Sequence, residues 1–358
     1  MRTIEHYIIR EIAIPLGAVI TILVGLFACF SSARYLAKAV TETLGAGMML
    51  KLVLLKTLIA LEVLAPIALY VSIFIGLGRM YRDREIIALR AGGIGGSRIV
   101  KSVLMLAIPI SILIGALAIY ARPWAYKTVY LLDASANAEL NTDRFQAGRF
   151  YGNEDSGRII YIQDKDVSTG QLKEVFQYTG KDGGSEIIMA HKAHRQQAVL
   201  NQRPQLHLND GVKYQLTHTA ATDSIVHFKK LVLYLNEGSD EVGYKRKAIT
   251  TAALLNSDYP YDIAELEWRL SRPLATILLA LVAVPLSRSS PRQVRGEKIF
   301  TAALVFTIYY NLTGLAQTWV EQGVVGGFPG VWWLHALMFI FAAGLLWPEL
   351  REYFSRRQ

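Results

Sequence analysis

The residues best suited to chemistry in this chain are charged side chains at the margins of apolar runs. Residues 79–93 read RMYRDREIIALRAGG. Arg79, Arg82, Arg84 and Arg90 stand against Asp83 and Glu85; Ile86, Ile87 and Leu89 follow, and Gly92-Gly93 close the stretch. Apolar runs of spanning length flank it on both sides. Two readings fit these residues. One is a basic loop that does no more than orient the chain in a membrane. The other is a short helix on the membrane face, whose acid and Ile-Ile-x-Leu ridge dock into a groove on another protein. Either way the chemistry is recognition by charge and shape, with no bond made or broken.

Arg34 and Lys38 lie one helical turn apart at the end of the first apolar run, hence on one face. Cations at that depth either meet lipid phosphates through charge-assisted bonds or snorkel to the interface. His191 and His194 are three apart in a strand-like stretch, which sets their rings on opposite faces. With no cysteine or acid cluster beside them, they do not make a metal site. Residues 92–97, GGIGGS, lack the Lys-Ser/Thr that ends a phosphate-binding loop, and read as a flexible turn. Neither a serine elbow nor an HExxH motif is present. The chain is expected to be no enzyme and to need no cofactor. Energy for any pumping must come from a partner or an ion gradient.

The elements that position these groups follow from hydropathy. Of 358 residues, 52% are hydrophobic and only 19% charged, which points to an integral membrane protein with a sizeable polar part. The net charge of +9 flanks apolar runs, so orientation and anionic lipid explain it better than nucleic acid does. Cys29 is the single cysteine, so no internal disulfide forms.

Apolar runs fall at 12–33, 52–78, 102–121, 273–287, 299–320 and 331–347. The first is read as a retained helix, being longer than a signal-peptide core. Glu62 lies deep in the second and must face protein or water; a structural partnership with a neighbouring helix is the favoured reading. Arg122-Pro123 is expected to end the third. Trp268, Arg269 and Arg272 are expected to extend the short fourth run by anchoring at the interface.

Between 122 and 268 no spanning run occurs. Alternating segments at 158–163, 175–178, 205–209, 212–216 and 224–236 read as strands, with Asp210-Gly211 as a hairpin turn. The expectation is a sandwich or jelly roll. Six helices place both termini on one side together with the basic loops at 79–93 and 288–298. The positive-inside bias makes that side cytoplasmic and sends the β domain outside.

The whole plan resembles the LptF/LptG (YjgP/YjgQ) permease family of the lipopolysaccharide exporter. The resemblance rests on the quick start into helix one, GRMYRDREI at 78–86, AELEWR at 264–269, VPLS at 284–287 and PRQVR at 291–295, the last two nearer the LptF branch. It implies an α-helical membrane protein of six transmembrane helices with an inserted periplasmic jellyroll-like domain. The divisions are 1–121 (helices one to three, coupling helix at about 79–93), 122–268 (β domain) and 269–358 (helices four to six). It implies a multi-pass subunit in the bacterial inner membrane, partnered by an LptG-type permease, an LptB ATPase dimer and LptC. The subunit extracts lipopolysaccharide and passes it outward. By the same resemblance, Arg82, Asp83, Glu85, Ile86 and Leu89 couple to the ATPase, and Arg34 and Lys38 meet lipid phosphates. Ile160, Ile162, Leu206, Leu208, Val212 and Tyr214 are the candidate acyl-chain groove. Strand parity decides between Ile160 with Ile162 and Ile159 with Tyr161, and a plain domain core is the alternative for any of them. The LptG-type subunit of the same exporter, and a membrane-anchored receptor or scaffold, are the competing functions.

Overall fold

The computed structural model describes residues 2–41, 46–137, 147–153, 158–166, 170–181, 184–196, 205–217, 223–234, 244–288 and 295–355. The chain divides into two compact units. One comprises Met1–Phe30, Leu54–Lys127 and Tyr244–Gln358, and the other Ser31–Val53 and Thr128–Gly243.

The first unit is helical. Helix α1 (Arg2–Thr41) includes the polar start of the chain, and α2 (Ala46–Arg82) carries the second apolar run. Asp83 and Arg84 turn the chain into the short α3 (Glu85–Ala91), with Arg84 left-handed at φ 60°, a region sparsely used by non-glycine residues. After α4 (Gly96–Ala116) comes a π-helical segment (Leu117–Ala121), and α5 (Arg122–Asn137) continues from it. Farther on are α6 (Thr251–Leu254), α7 (Pro260–Leu286), α8 (Arg295–Glu321) and α9 (Trp332–Ser355). Five helical stretches are long and apolar enough to cross a membrane among the described residues: Thr3–Leu36, Ala46–Arg82, Gly96–Ala134, Pro260–Leu286 and Glu297–Glu321. Trp332–Trp347 is a shorter apolar helix. Helix α1 leaves Ile14, Ile22, Leu26 and Phe30 bare. Water tolerates such a stripe poorly, and hydrocarbon suits it.

Two expectations about these helices are overturned. Pro123 does not end the third apolar helix. The widened π turn just before it takes up the change of register. The N–H that Pro123 lacks would have bonded the Ile119 carbonyl, which instead accepts from Thr251 Oγ1 at 2.9 Å. Nor does the helix that carries the fourth apolar run begin at an interfacial margin near 268. It starts at Pro260, so Trp268, Arg269 and Arg272 lie well inside α7 and not at its anchoring margin.

The core of this unit joins Ile8 and Ile12 of α1, Leu69 and Ile73 of α2, Val103 of α4 and Val282 of α7. Helices α1 and α2 touch backbone to backbone: a Cβ on Gly76 would lie 2.7 Å from the Glu11 carbonyl oxygen.

The second unit holds one six-stranded antiparallel sheet in simple chain order. Its strands are β1 (Arg149–Asn153), β2 (Arg158–Lys165), β3 (Leu172–Lys181), β4 (Gly184–Gln196), β5 (Gln205–Thr217) and β6 (Ser224–Tyr234). A sandwich or a two-sheet jelly roll needs strands that cross between sheets. The described strands form a meander, so that expectation is corrected to a single sheet. It occupies a narrower stretch than 122–268, because helix takes both ends of that range.

Asp210-Gly211 is not a turn. Strand β5 runs straight through it, with Asp210 left-handed at φ 51°. Gly211 is required there: a Cβ would sit 2.2 Å from the Met189 carbonyl oxygen and 2.5 Å from the Phe228 ring. Glu174 in β3 is left-handed as well, at φ 48°. Both belong to one row across the sheet, Gln163–Glu174–His191–Asp210–Lys229, in which the regular pairing lapses while the register on either side is unchanged. At that row the inward series steps by an odd number of residues: Leu172 then Val175 in β3, Ala190 then Ala193 in β4, Phe228 then Leu231 in β6. The sheet therefore has a transverse crease at which the inward sides of β3, β4 and β6 change parity.

Candidate functional site

The segment around α3 is held from three directions. Tyr7 Oη of α1 donates to Glu85 Oε2 at 2.8 Å. Arg79, near the end of α2, pairs with Glu11 of α1 at 3.5 Å and with Asp83 at 3.6 Å. Lys101 of α4 reaches Glu5 of α1 at 3.3 Å. Underneath, Ile86 is 0% exposed in the helical core and Leu89 packs against the same cluster. Glu85 occupies the first turn of α3, where the N-terminal end of a helix favours a carboxylate.

This arrangement redistributes the roles expected for 79–93. The short helix spans only 85–91, and Arg79 and Arg82 belong to α2. Ile86 and Leu89 turn into their own protein. The exposed apolar residue is Ile87, 56% accessible, beside exposed Ala88 and Arg90. Arg82 and Asp83 are exposed and pair with each other at 3.7 Å. A seven-residue helix is too short for periodicity to tell the two isoleucines apart. The polar start of the chain gave no warning that it would brace this segment.

A second constellation is buried in the helical unit. Arg122 of α5 bridges two carboxylates: Nη1 lies 2.8 Å from Glu62 Oε2 of α2, and Nε and Nη2 lie 2.9 and 3.2 Å from the two oxygens of Glu265 of α7. Arg269, 0% exposed, joins Glu265 at 3.1 Å and donates to Thr251 Oγ1 and to the Ile249 carbonyl, both at 2.9 Å. Trp268 Nε1 donates to Glu62 at 2.9 Å. The Arg272 guanidinium lies over the Trp268 ring at 3.3 Å and reaches Glu62 at 4.0 Å. The structural partnership expected for Glu62 is present. The interfacial anchoring expected for Arg269 and Arg272 is not, since both are buried in this cluster. A readable signal existed: Asp262, Glu265, Arg269 and Arg272 recur at three- and four-residue steps, which is one face of a helix. Two carboxylates are saturated by three guanidiniums, so the cluster is a fixed brace between α2, α5 and α7, with no free base to move a proton.

Arg34 is exposed on α1. Lys38 lies one turn on, with its side chain outside the described part of the structure. In the sheet, Ile160, Ile162, Leu206 and Leu208 are buried together, whereas Ile159 is exposed. Val212 and Tyr214 do not join them. They lie beyond the crease, opposite Met189 and Ile187, on the side away from buried Ile188 and Ala190. Parity counted along an unbroken strand put all four β5 residues on one face, and the left-handed Asp210 inverts it. The same inversion puts His191 and His194 on one exposed face instead of two. His191 Nδ1 lies 2.8 Å from Glu174, and His194 stacks on His207 at 5.2 Å.

The family model described as "Lipopolysaccharide export system permease LptF/LptG" matches residues 6–348. This chain belongs to the LptF/LptG family. It is 24% identical over 364 residues to the lipopolysaccharide export system permease protein LptF of Escherichia coli strain K12, with 99% of each chain covered, and the Shigella flexneri protein of that name matches equally. An LptF/LptG permease is a non-catalytic membrane subunit of an ABC exporter, and ATP hydrolysis belongs to a partner. The α3 segment, the buried charge cluster and the sheet all lie within the matched residues of this multi-pass permease.

Proposed function

We propose that this chain is the LptF-type half of a heterodimeric permease, paired with an LptG-type chain, driven by two copies of the LptB ATPase and joined by LptC. It spans the bacterial inner membrane six times, with both termini in the cytoplasm and the sheet in the periplasm. Lipopolysaccharide enters between the two permeases, its phosphates met by Arg34 and Lys38, and its acyl chains pass to the sheet. Of the sheet residues considered from sequence, Ile160, Ile162, Leu206 and Leu208 remain the groove candidates.

The observation that carries this reading is the mounting of α3. A helix that receives force from another protein must be rigid toward its own body and polar toward the partner. Buried Ile86, the Tyr7–Glu85 bond and the Arg79–Glu11 pair supply the first property. Exposed Arg82, Asp83 and Arg90 supply the second, with Ile87 as one apolar contact among them. Glu85 stands between the two: one of its oxygens is held by Tyr7, and the other meets a basic residue of the ATPase. Leu89 and Ile86 act as the root of the lever and not as its contact face.

Glu85→Lys reverses the charge at that contact. The expected result is a loss of about tenfold or more in co-purified ATPase and in lipopolysaccharide release from membranes. Wild-type values for both would remove the coupling role and favour a receptor or scaffold anchored by passive helices.

A further inference from the structure

Between α2 and α8 the helical unit contains a trough of about 750 Å³. Its walls include Ile67, Phe74 and Ile75 of α2 and Ile299 and Phe306 of α8. Tyr70 closes the wall between the two helices by donating to the Ala302 carbonyl at 2.8 Å and lying 5.9 Å from the Phe306 ring. One end has a different character. Arg79, Arg82 and Arg84, where α2 gives way to α3, and Lys298, near the start of α8, all line it, and among the described residues no Asp or Glu does. Arg79 and Arg82 share the single carboxylate of Asp83, and Arg79 also meets Glu11. Arg84 and Lys298 form no ion pair among the described residues. The mouth therefore carries a surplus of positive charge over an oily channel.

Dimensions narrow the occupant. From Ile67 to Arg82 α2 advances about 22 Å at 1.5 Å per residue, close to the length of one extended membrane acyl chain. A small anion would use the mouth and leave the channel empty. A neutral lipid would fill the channel and leave the surplus cations without a partner. Each cation near an anionic headgroup favours it by about a factor of five, and the channel adds the burial of a hydrocarbon tail.

We propose that this trough is a binding site for an anionic phospholipid, with one acyl chain between α2 and α8 and the phosphate among Arg79, Arg82, Arg84 and Lys298. With the topology proposed above, the lipid comes from the cytoplasmic leaflet, and its headgroup lies at the root of the α3 lever. A permease so occupied senses the charge of the bilayer at the point where it takes up force from the ATPase. This site shares no residue with Arg34, Lys38 or the sheet.

The test is native mass spectrometry of the full chain in its co-purified complex, titrated with phosphatidylglycerol, phosphatidylcholine or inorganic phosphate. Wild type should retain phosphatidylglycerol over phosphatidylcholine. The double variant Arg84→Asn, Lys298→Gln should lose roughly thirtyfold of that preference, two cations' worth. Asparagine is chosen because it tolerates the left-handed backbone at 84. Ala303→Phe, which fills the channel and keeps every charge, should lose retention of the lipid itself. Equal retention of the two lipids, or indifference to both variants, overturns the proposal. Displacement of the lipid by inorganic phosphate alone would reduce the site to an anion site, and a crosslink from the Ile299→Cys variant to a partner chain would make it a protein interface. Either result rejects the lipid. None of these outcomes depends on Glu85, so this proposal can fail while the coupling role stands.

Discussion

The helical unit and the sheet unit treat charge in opposite ways. In the helical unit Glu62, Arg122, Glu265, Arg269 and Arg272 are gathered inside and bonded to one another. In the sheet, pairs such as Lys173–Asp164 and His191–Glu174 stand at the surface, and the interior is mostly aliphatic. The difference follows from the solvent. Helices surrounded by hydrocarbon have no water to receive a charge, so ionisable groups must turn inward and be matched there. A sheet in water can leave its charges outside and spend its interior on apolar side chains. Ion pairs should accordingly be essential in the first unit and nearly dispensable in the second.

The strongest way to break that contrast is Arg122→Met. It leaves two buried carboxylates facing each other without their shared cation, and removing one partner of a buried pair costs about 3–5 kcal/mol. The expected outcome is loss of the monodisperse protein in detergent after mild heating, read by fluorescence-detected size exclusion. A melting profile like that of wild type would mean that the cluster is not a brace. Adding Glu62→Gln and Glu265→Gln should deepen the loss, because the buried guanidiniums of Arg269 and Arg272 then lose their carboxylates too.

A smaller effect is expected from Gly211→Ala. The new methyl group meets the Met189 carbonyl and the Phe228 ring inside a continuous strand, and crowding of that kind costs about 1–3 kcal/mol. Thermal unfolding followed through the sheet should fall by several degrees, with the helical unit unaffected. An unchanged midpoint would show that the crease is loose.

The smallest concerns His191. Its bond to Glu174, and then the charge of that carboxylate, raise the imidazole above its usual value near 6.5. The folded protein thus holds the proton more tightly than the unfolded chain does. The pair's contribution is complete below pH 6.5 and is lost as pH rises through the raised value. Ring NMR should show His191 titrating above 6.5 in the wild type and nearer 6.5 in Glu174→Gln. Because both groups are exposed, stability should hardly respond, and a large response would contradict the contrast drawn above.

Much of the helical plan was legible in the sequence, because crossing hydrocarbon demands a long run without charge and such runs are hard to miss. Glu62 was legible for the same reason: a lone acid that deep must have a partner. What escaped were places where a neighbour overrides a local rule. Pro123 breaks a helix unless the preceding turn widens and a distant hydroxyl takes the orphaned carbonyl. Asp-Gly turns a chain unless strands on both sides keep it straight. Arginine snorkels near an interface unless acids wait for it on adjacent helices. Ile86 and Ile87 are indistinguishable by type, and only the tertiary setting says which one is core. Each miss concerns a partner far away in the chain, which reading along one strand or helix cannot supply.

The row from Gln163 to Lys229 has a last implication. Strands β3, β4 and β6 exchange their oily and wetted sides there, and β5 does so at Asp210, all at the same level. A strand that lost its exchange while its neighbours kept theirs would present half its length inside out. Substitutions at Glu174 and Asp210 are therefore answerable to each other across two intervening hydrogen-bonded edges. A lineage could lengthen or shorten the strands beyond that level freely, yet could shift the level itself only by moving every strand at once.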